Sequence, residues 1–466
     1  MLVTRPASDA AGHAAAASVA SAVAAAVVPP DAVPVGSPWP AGALRTDQDV
    51  LVGGVGLSRL AARYATPLYV LDEAEVRSRC RAYRRALPGA DVVYAAKAFL
   101  CGAMAEWVEQ EGLGLDVCSG GELEHAVTCG FPAGRIVMHG NAKSPEELAA
   151  AVRLGVGRIV VDSFSEIARL AVLASPERPQ DVLVRVVPGV SAGHHAAVRT
   201  GVEEQKFGFS IAAGDAADAV ERVLNQPRLR LAGLHCHLGS QIAEVGPYLD
   251  TLDRVVPLLA AIRDRHGIAL PELDLGGGHA VPYRAGESAL DLAEFAERVN
   301  ARLAELCARH RLAVPRLAVE PGRAVVGPAG VAVYRVLAVK HTMGGRTFVA
   351  VDGGMSDNPR PALYDARYTA TLVGRAVAAD APWTDACVVG RHCEAGDVLV
   401  PEVRLPADIR AGDLVAVPVA GAYHLSMASG YNLVGRPPLV AVRDGASRML
   451  LRRETLDDFR RRDIGR

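Results

Sequence analysis

Eight short apolar runs, separated by amphipathic helical stretches, constrain the fold of this chain more than any other feature. They occupy residues 92–97, 115–118, 136–139, 158–162, 182–187, 231–235, 272–275 and 317–320. Buried strands that alternate with helices are typical of a parallel sheet, and an open doubly wound sheet usually has fewer repeats. The pattern therefore predicts an α/β fold, a closed (β/α)8 TIM-type barrel.

The chain outside this pattern divides into three parts. Past residue 325, short β-rich runs are separated by Gly, Pro and Asp turns, which predicts a mostly β, barrel-like C-terminal domain over residues 326–466. We assign the barrel to residues 67–325 and a connecting segment to residues 44–66. Residues 1–43 are rich in alanine and proline and are interpreted as a flexible tail. An export signal is the less favoured alternative, because alanine drives membrane insertion only weakly.

Composition excludes several classes of partner. The 466 residues include 50 basic and 52 acidic side chains, so no excess of positive charge favours nucleic acid. No apolar run is long enough to predict a membrane span. The eight cysteines form no C-x-x-C pair, which argues against a zinc ribbon or a disulfide framework and favours the reducing cytoplasm.

Chemically distinctive residues follow the predicted barrel strands. Lys97 ends the first strand, His237 follows the sixth, Gly276–Gly278 follow the seventh and Glu320 ends the eighth. The carboxyl ends of barrel strands meet at one mouth, where such barrels carry their active sites. A lysine there either extends its ammonium to water or loses its proton on desolvation and becomes a carbonyl nucleophile.

A reactive lysine, a glycine run and a histidine in one mouth suit an aromatic aldehyde that carries a phosphate, which is pyridoxal phosphate. Glycines allow backbone N–H groups to approach an anion, although a tight turn alone also explains them. A carboxylate at Glu320 would keep the pyridine nitrogen protonated and favour carbanion chemistry. An ion pair between Glu320 and Arg323 is the structural alternative.

A metal site is the less favoured use of the histidines. His235 and His237 alternate along one predicted strand and would face the same side. No carboxylate or cysteine lies beside them at ligand spacing, so we predict no metal and a planar imidazole against the cofactor ring.

Ten ordered motifs between residues 67 and 432 identify a family resemblance. The motifs are Y-A-A-K-A, G-L-D-V-C-S-G-G-E-L, H-G-N-A-K-S, K-F-G, G-L-H-C-H-L-G-S-Q, L-G-G-G-H, E-P-G-R, D-N-P-R-P-A-L-Y, H-C-E-A-G-D and G-A-Y-H-L-S-M-A-S-G-Y-N. With them the chain resembles the fold-type III pyridoxal-phosphate decarboxylases, specifically the actinobacterial diaminopimelate decarboxylases. The turn after the glycines departs from the usual pattern at His279 and Ala280.

The resemblance implies a role for each residue that matches the family's motifs. Lys97 would bind the cofactor covalently, and Cys393, from a second subunit of a homodimer, would supply the proton that replaces carbon dioxide. The other implied cofactor contacts are His237, Ser240, Gly276, Gly277, Gly278, Glu320, Pro321, Gly322, Arg323 and Tyr423. The implied substrate contacts are Arg323, Arg360, Tyr364, Glu394 and Tyr423.

The implied reaction is decarboxylation of meso-2,6-diaminopimelate to L-lysine, the last step of lysine biosynthesis. A related decarboxylase acting on ornithine, arginine or a carboxylated polyamine, or a paralogue from specialised metabolism, stays open, because few residues separate such substrates. Alanine racemase is disfavoured because a glutamate at the pyridine nitrogen would over-stabilise a carbanion. A non-catalytic homologue would be expected to lack the Cys393–Glu394 pair or the arginines.

Overall fold

A closed parallel barrel carries the candidate site. The structure, a computed structural model, describes residues 33–192, 200–202 and 205–465. Within these residues the barrel has eight strands: Asp91–Ala95, Gly114–Val117, Ile136–Met138, Arg158–Val161, Gln180–Val187, Leu229–His235, Glu272–Asp274 and Arg316–Val319. The eighth strand pairs with the first and the fourth with the fifth, so the ring closes and the predicted (β/α)8 fold is confirmed.

Helices surround the barrel, and several begin at a serine just after a strand. They are Glu73–Ala86, Gly102–Gln110, Gly120–Thr128, Pro145–Leu154, Phe164–Leu173, Asp215–Leu224, Gly246–His266 and Leu292–Arg309. Ser119 Oγ accepts a hydrogen bond from the backbone N–H of Glu122, and Ser163 Oγ accepts one from Glu166. Both serines are therefore helix N-caps, although their position after a strand suggests a chemical role.

The inside of the barrel is filled by side chains from alternate positions of the strands. Val93, Val137, Val160, Leu183 and Ala232 form a buried cluster separate from the main core. A parallel barrel points every second residue inward, so this cluster is a packed interior layer. The site can therefore form only at the ends of the strands.

The second sheet follows the barrel in sequence but takes one strand from before it. Its strands are Leu68–Asp72, Gly330–His341, Thr347–Val351, Thr371–Val373, Trp383–Val389, Val398–Pro406, Leu414–Pro418, Leu439–Arg443 and Ala446–Leu451. Leu68–Asp72 lies between Gly330–His341 and Leu439–Arg443. By its hydrogen bonds it belongs to this sheet, although the predicted division assigns residues from 67 onward to the barrel. The division into two domains stays a prediction.

The segment before the barrel forms a small antiparallel sheet and a helix. Its elements are Val33–Pro34, Leu44–Arg45, Val50–Val52, Val55–Gly56 and the helix Leu57–Tyr64. Residues 1–32, most of the predicted tail, lie outside the described residues. Trp39, near the end of that predicted tail, is buried.

The remaining described helical segments are short. They are the helices Arg323–Val326, Arg360–Tyr364 and Leu456–Arg460 and the 3-10 turns Ala96–Ala98, Ala133–Arg135, Leu425–Met427 and Tyr431–Leu433. Several of these pieces carry residues of the candidate site.

Candidate active site

Two adjoining cavities lie at the carboxyl ends of the barrel strands. The smaller, of about 40 Å³, is lined by Lys97, His237, Ser240, Gly278, Glu320, Gly322, Arg323 and Tyr423, among others. The larger, of about 680 Å³, shares His237, Ser240, Arg323 and Tyr423 with it and adds Arg360 and Tyr364. Residues predicted from six separate motifs thus converge on one site.

Lys97 lies in the turn Ala96–Ala98 beyond the first strand, whereas the sequence pattern places it within that strand. Its Nζ donates a 2.9 Å hydrogen bond to Oδ2 of the fully buried Asp116. Burial lowers the pKa of Lys97, but Asp116, together with Cys118, Glu320 and Tyr423, outweighs burial and raises that pKa well above its ordinary value. The lysine is a paired ammonium, which neither sequence-based interpretation foresees.

Glu320 is held between two imidazoles. His139 Nε2 lies 2.6 Å from Glu320 Oε1, and His235 Nε2 lies 3.3 Å from Oε2. Burial raises the pKa of Glu320, but His139 and His235 outweigh burial and bring it well below the ordinary value. The carboxylate is therefore ionised. Its Oε1 is buried and makes no hydrogen bond of good geometry with the described residues.

The same three residues bear on the metal prediction. Ligand atoms of His139, His235 and Glu320 lie within 4.8 Å of one another. The sequence argument against a metal, that no carboxylate lies beside the histidines, is therefore wrong, because closure of the barrel brings Glu320, just beyond the eighth strand, within 3.3 Å of His235. The absence of a metal stays a prediction.

His237 lies beyond the sixth strand, which ends at His235, so the two imidazoles do not alternate along one strand as predicted. Its Nδ1 accepts a 3.1 Å hydrogen bond from the backbone N–H of Gly277. Burial, together with the nearby charge of Lys97, lowers the pKa of His237 well below its ordinary value. The ring that faces the cavities is neutral.

The glycine run packs against neighbouring backbone. A Cβ on Gly277 would lie 2.1 Å from the carbonyl oxygen of Glu320, and one on Gly278 would lie 2.4 Å from that of Gly239. The N–H groups of Gly276 and Gly277 donate to Asp274 and His237. Among the described residues, the N–H of Gly278 has no such acceptor, and Gly278 lines the smaller cavity, so one of the three predicted phosphate donors is unengaged.

Arg323 connects the two cavities. Its guanidinium donates hydrogen bonds of 2.5 Å to the hydroxyl of Tyr283 and 3.0 Å to Oγ of Ser240, and lies 4.7 Å from the ring centre of Tyr423. Burial raises the pKa of Tyr283, but Arg323 and Arg360 outweigh burial and lower it. The arginine thus holds Ser240 and Tyr423 at the junction. Pro321, in the same motif, lies behind the cavities, where its carbonyl oxygen accepts from Ala95.

Arg360 is a buried cation in the wall of the larger cavity, where 6 % of its surface is exposed. Its guanidinium lies 4.7 Å from the ring centre of Tyr283 and donates a hydrogen bond to the hydroxyl of Tyr368. No carboxylate pairs with Arg323 or Arg360 among the residues that the structure describes. Two guanidinium groups therefore offer their charge to an anionic ligand.

Cys393 and Glu394 lie outside both cavities and are exposed. The preceding residue, His392, is buried, with its ring nitrogens 2.8 Å from Ser356 Oγ and 3.0 Å from Asn432 Oδ1. The pair thus projects from a turn whose base is fixed by hydrogen bonds. Within one chain they do not reach the candidate site.

Comparison with known proteins identifies the family. Residues 73–327 match the family of the pyridoxal-dependent decarboxylase, pyridoxal binding domain. The diaminopimelate decarboxylase of Actinosynnema pretiosum subsp. auranticum is 58% identical over 426 residues, 91% of this chain and 95% of that protein. The chain belongs to the diaminopimelate decarboxylase family.

Further relatives have the same description. The diaminopimelate decarboxylase of Mycobacterium tuberculosis strain H37Rv is 47% identical over 432 residues, 90% of this chain and 96% of that protein. The crystal structure of the M. jannaschii diaminopimelate decarboxylase in complex with L-lysine superposes with a TM-score of 0.84 at 29% identity, covering 91% of this chain and 98% of that one. The chain is therefore an enzyme of the carboxy-lyase class.

Several site residues are identified only by the structure. Asp116, Tyr283 and Tyr368 contact Lys97, Arg323 and Arg360 directly, but none of the three was predicted. An aspartate in the apolar run G-L-D-V was a usable signal, because a buried carboxylate needs a partner. In the part of the chain that the structure describes, no helix combines the length and apolarity that crossing a membrane requires. The cytoplasmic location stays a prediction.

Proposed function

We propose that this enzyme uses pyridoxal 5'-phosphate to decarboxylate meso-2,6-diaminopimelate to L-lysine. The assignment of the substrate rests on two guanidinium groups in the wall of the larger cavity, those of Arg323 and Arg360, which have no carboxylate partner among the described residues. A buried arginine lacking an acidic partner favours a ligand that brings a carboxylate. Diaminopimelate keeps a carboxylate at the end that does not react, whereas ornithine and arginine end in a cation there.

The residues of the smaller cavity fit the cofactor. Glu320 places an ionised carboxylate in the cavity wall, which suits the protonated pyridine nitrogen, and among the described residues the N–H of Gly278 has no acceptor, which suits phosphate. Ser240 and Tyr423 would complete the phosphate site, and Lys97 would bind the aldehyde. When bound, pyridoxal phosphate would supply an electron-withdrawing ring that stabilises the electron pair left on the α-carbon when carbon dioxide departs.

Side chains of the protein would bind the cofactor, orient the substrate and transfer the proton. Lys97 is paired with Asp116 as an ammonium, so its proton must leave before the amine can act as a nucleophile. The neutral ring of His237 packs the floor shared by the cavities without adding charge. Arg360 would orient the distal carboxylate, with Tyr364 in the same wall. Cys393 Sγ would deliver a proton to the α-carbon after carbon dioxide leaves.

We infer that the active enzyme is a homodimer with shared sites. The supporting observation is the placement of Cys393 and Glu394, which are exposed and outside the cavities of their own chain on a turn held by His392. A second chain could insert this turn into the mouth, where Glu394 would meet the distal ammonium of the substrate.

Subunit mixing tests the shared site. Lys97→Ala and Cys393→Ala are each expected to be inactive. Equal amounts, mixed under conditions that exchange subunits, should regain about a quarter of wild-type activity, because half the dimers are mixed and each has one intact site. No recovery, with exchange verified by differently tagged chains, would place both residues in one chain's site.

The reaction itself is tested with purified enzyme, added cofactor and each candidate substrate in turn. We expect L-lysine and carbon dioxide from meso-2,6-diaminopimelate, and little product from L-ornithine or L-arginine. Preference for ornithine or arginine would reassign the enzyme to another branch of these decarboxylases.

A further inference from the structure

A chain of buried hydrogen-bonding groups leads from Arg360 to Tyr69, in the strand Leu68–Asp72 of the second sheet. The hydroxyl of Tyr368 accepts from Arg360 and lies 2.8 Å from Nε2 of His424. His424 Nδ1 lies 3.1 Å from the hydroxyl of Tyr69, which in turn lies 2.9 Å from the carbonyl oxygen of Asp357. All five residues are buried, and only 1 % of the His424 surface is exposed.

The two ends of this chain, together with a neutral imidazole at His424, fix the direction of the hydrogen bonds in it. A guanidinium can only donate, so the oxygen of Tyr368 accepts, and a carbonyl can only accept, so the hydroxyl of Tyr69 donates. Between them, the hydroxyl hydrogen of Tyr368 goes to Nε2 of His424, and the hydrogen on Nδ1 goes to the oxygen of Tyr69. Burial, with the nearby charges of Arg360 and Arg323, lowers the pKa of His424 well below the ordinary value, so the ring is neutral, and the carbonyl end of the chain puts its hydrogen on Nδ1.

We propose that His424, acting through Tyr368, is a positioning residue that orients the guanidinium of Arg360 toward the distal carboxylate of the substrate. The inference rests on the proposed function and adds a specificity device to it. Arg360 has five N–H groups, and their direction decides whether two of them meet a carboxylate together. The hydrogen bond to Tyr368 and the ring of Tyr283 hold the guanidinium on two sides.

The position of His424 in the chain connects this orientation to the reacting end of the site. The neighbouring Tyr423 donates a 2.8 Å backbone hydrogen bond to the carbonyl oxygen of Ala98, and Ser426 Oγ donates one of 3.0 Å to the same oxygen. Ala98 follows Lys97 directly. One segment is therefore fixed both to the turn that carries the lysine and, through Tyr368, to Arg360, so it sets the spacing between the two ends of the substrate.

Two substitutions at His424 separate polarity from packing. His424→Gln keeps one acceptor and one donor about as far apart as the two imidazole nitrogens, whereas His424→Leu removes both and leaves Tyr368 without its acceptor. Each variant is prepared as the dimeric holoenzyme. Its dissociation constants for L-lysine and for 1,5-diaminopentane, the same carbon chain without a carboxylate, are measured by titration calorimetry.

We expect His424→Leu to raise the dissociation constant of L-lysine by about tenfold or more, which is the usual contribution of a charge-assisted hydrogen bond. The dissociation constant of 1,5-diaminopentane should change by less than about threefold. The KM for meso-2,6-diaminopimelate should rise by a similar factor, with a smaller effect on kcat. His424→Gln should restore most of the preference for L-lysine. If His424 had a purely structural role, its replacement would weaken the binding of both ligands by the same factor, and that outcome would overturn the proposal.

The second test uses Tyr368→Phe, which removes the acceptor of Arg360 but keeps the aromatic contact with Tyr283, whose ring centre lies 5.0 Å from that of Tyr368. It should lose the same preference for L-lysine, and it decides the question if His424→Leu does not fold. If the wild type acts on meso-2,6-diaminopimelate but Tyr368→Phe keeps the wild-type preference for L-lysine over 1,5-diaminopentane, only the positioning role is overturned. A wild type that does not act on meso-2,6-diaminopimelate overturns the proposed function instead.

Discussion

Replacement of Arg360 by alanine is the most direct perturbation of substrate recognition. Arg360 is 6 % exposed, and its described contacts are the neutral hydroxyl of Tyr368 and aromatic faces, so a ligand carboxylate would be the first anion to pair with it. Loss of one partner of a buried, charge-assisted pair costs about 2–5 kcal/mol, which corresponds to roughly a 30- to several-thousand-fold loss in kcat/KM.

The assay is the initial rate of carbon dioxide release from meso-2,6-diaminopimelate by the holoenzyme. Arg284→Ala is the matched control, because Arg284 lines the same cavity but its charge is already paired with Glu287 at 2.7 Å. We expect the control to change kcat/KM by less than about threefold, the scale of an exposed ion pair. If Arg360→Ala behaves like the control, the distal carboxylate does not bind at Arg360 and the reasoning fails.

Three further predictions concern the lysine, the glycine run and pH. Lys97→Ala should abolish activity and the visible absorbance of the bound cofactor, because the described residues place no other lysine in either cavity wall; a variant that keeps the absorbance would contradict this. Gly277→Ala should lower the free energy of unfolding, measured by urea titration, by about 1–3 kcal/mol, because the new Cβ would lie 2.1 Å from the carbonyl oxygen of Glu320. Gly134→Ala should leave it nearly unchanged, because no atom lies within 4 Å of a Cβ at that position. Burial lowers the pKa of His279 from 6.5 to about 3. Between these pH values the unfolded chain binds more protons than the folded chain, so the free energy of unfolding decreases as the pH is lowered from 6.5. His279→Phe should therefore flatten the fall by about 1.4 kcal/mol per pH unit, and an unchanged slope would show that His279 is not a buried neutral imidazole.

The sequence by itself determined the barrel and most of the site. Strand periodicity is local, because each β-branched run needs only its own neighbours to define a buried strand, so all eight barrel strands were located to within a few residues. Parallel strands that close into a ring bring their carboxyl ends together, so Lys97, His237, Glu320 and Arg323 could be assigned to one mouth without coordinates.

Only the tertiary structure decided which groups pair with these residues. Asp116 raises the pKa of Lys97, and His139 lies against Glu320, through contacts between different strands that no local spacing encodes. The same holds for Leu68–Asp72, whose apolar pattern predicts a strand but not the sheet that receives it. Hydrogen-bond direction is the least local property of all: the tautomer of His424 follows from Arg360 at one end of a buried chain and Asp357 at the other, and both are distant from it in sequence.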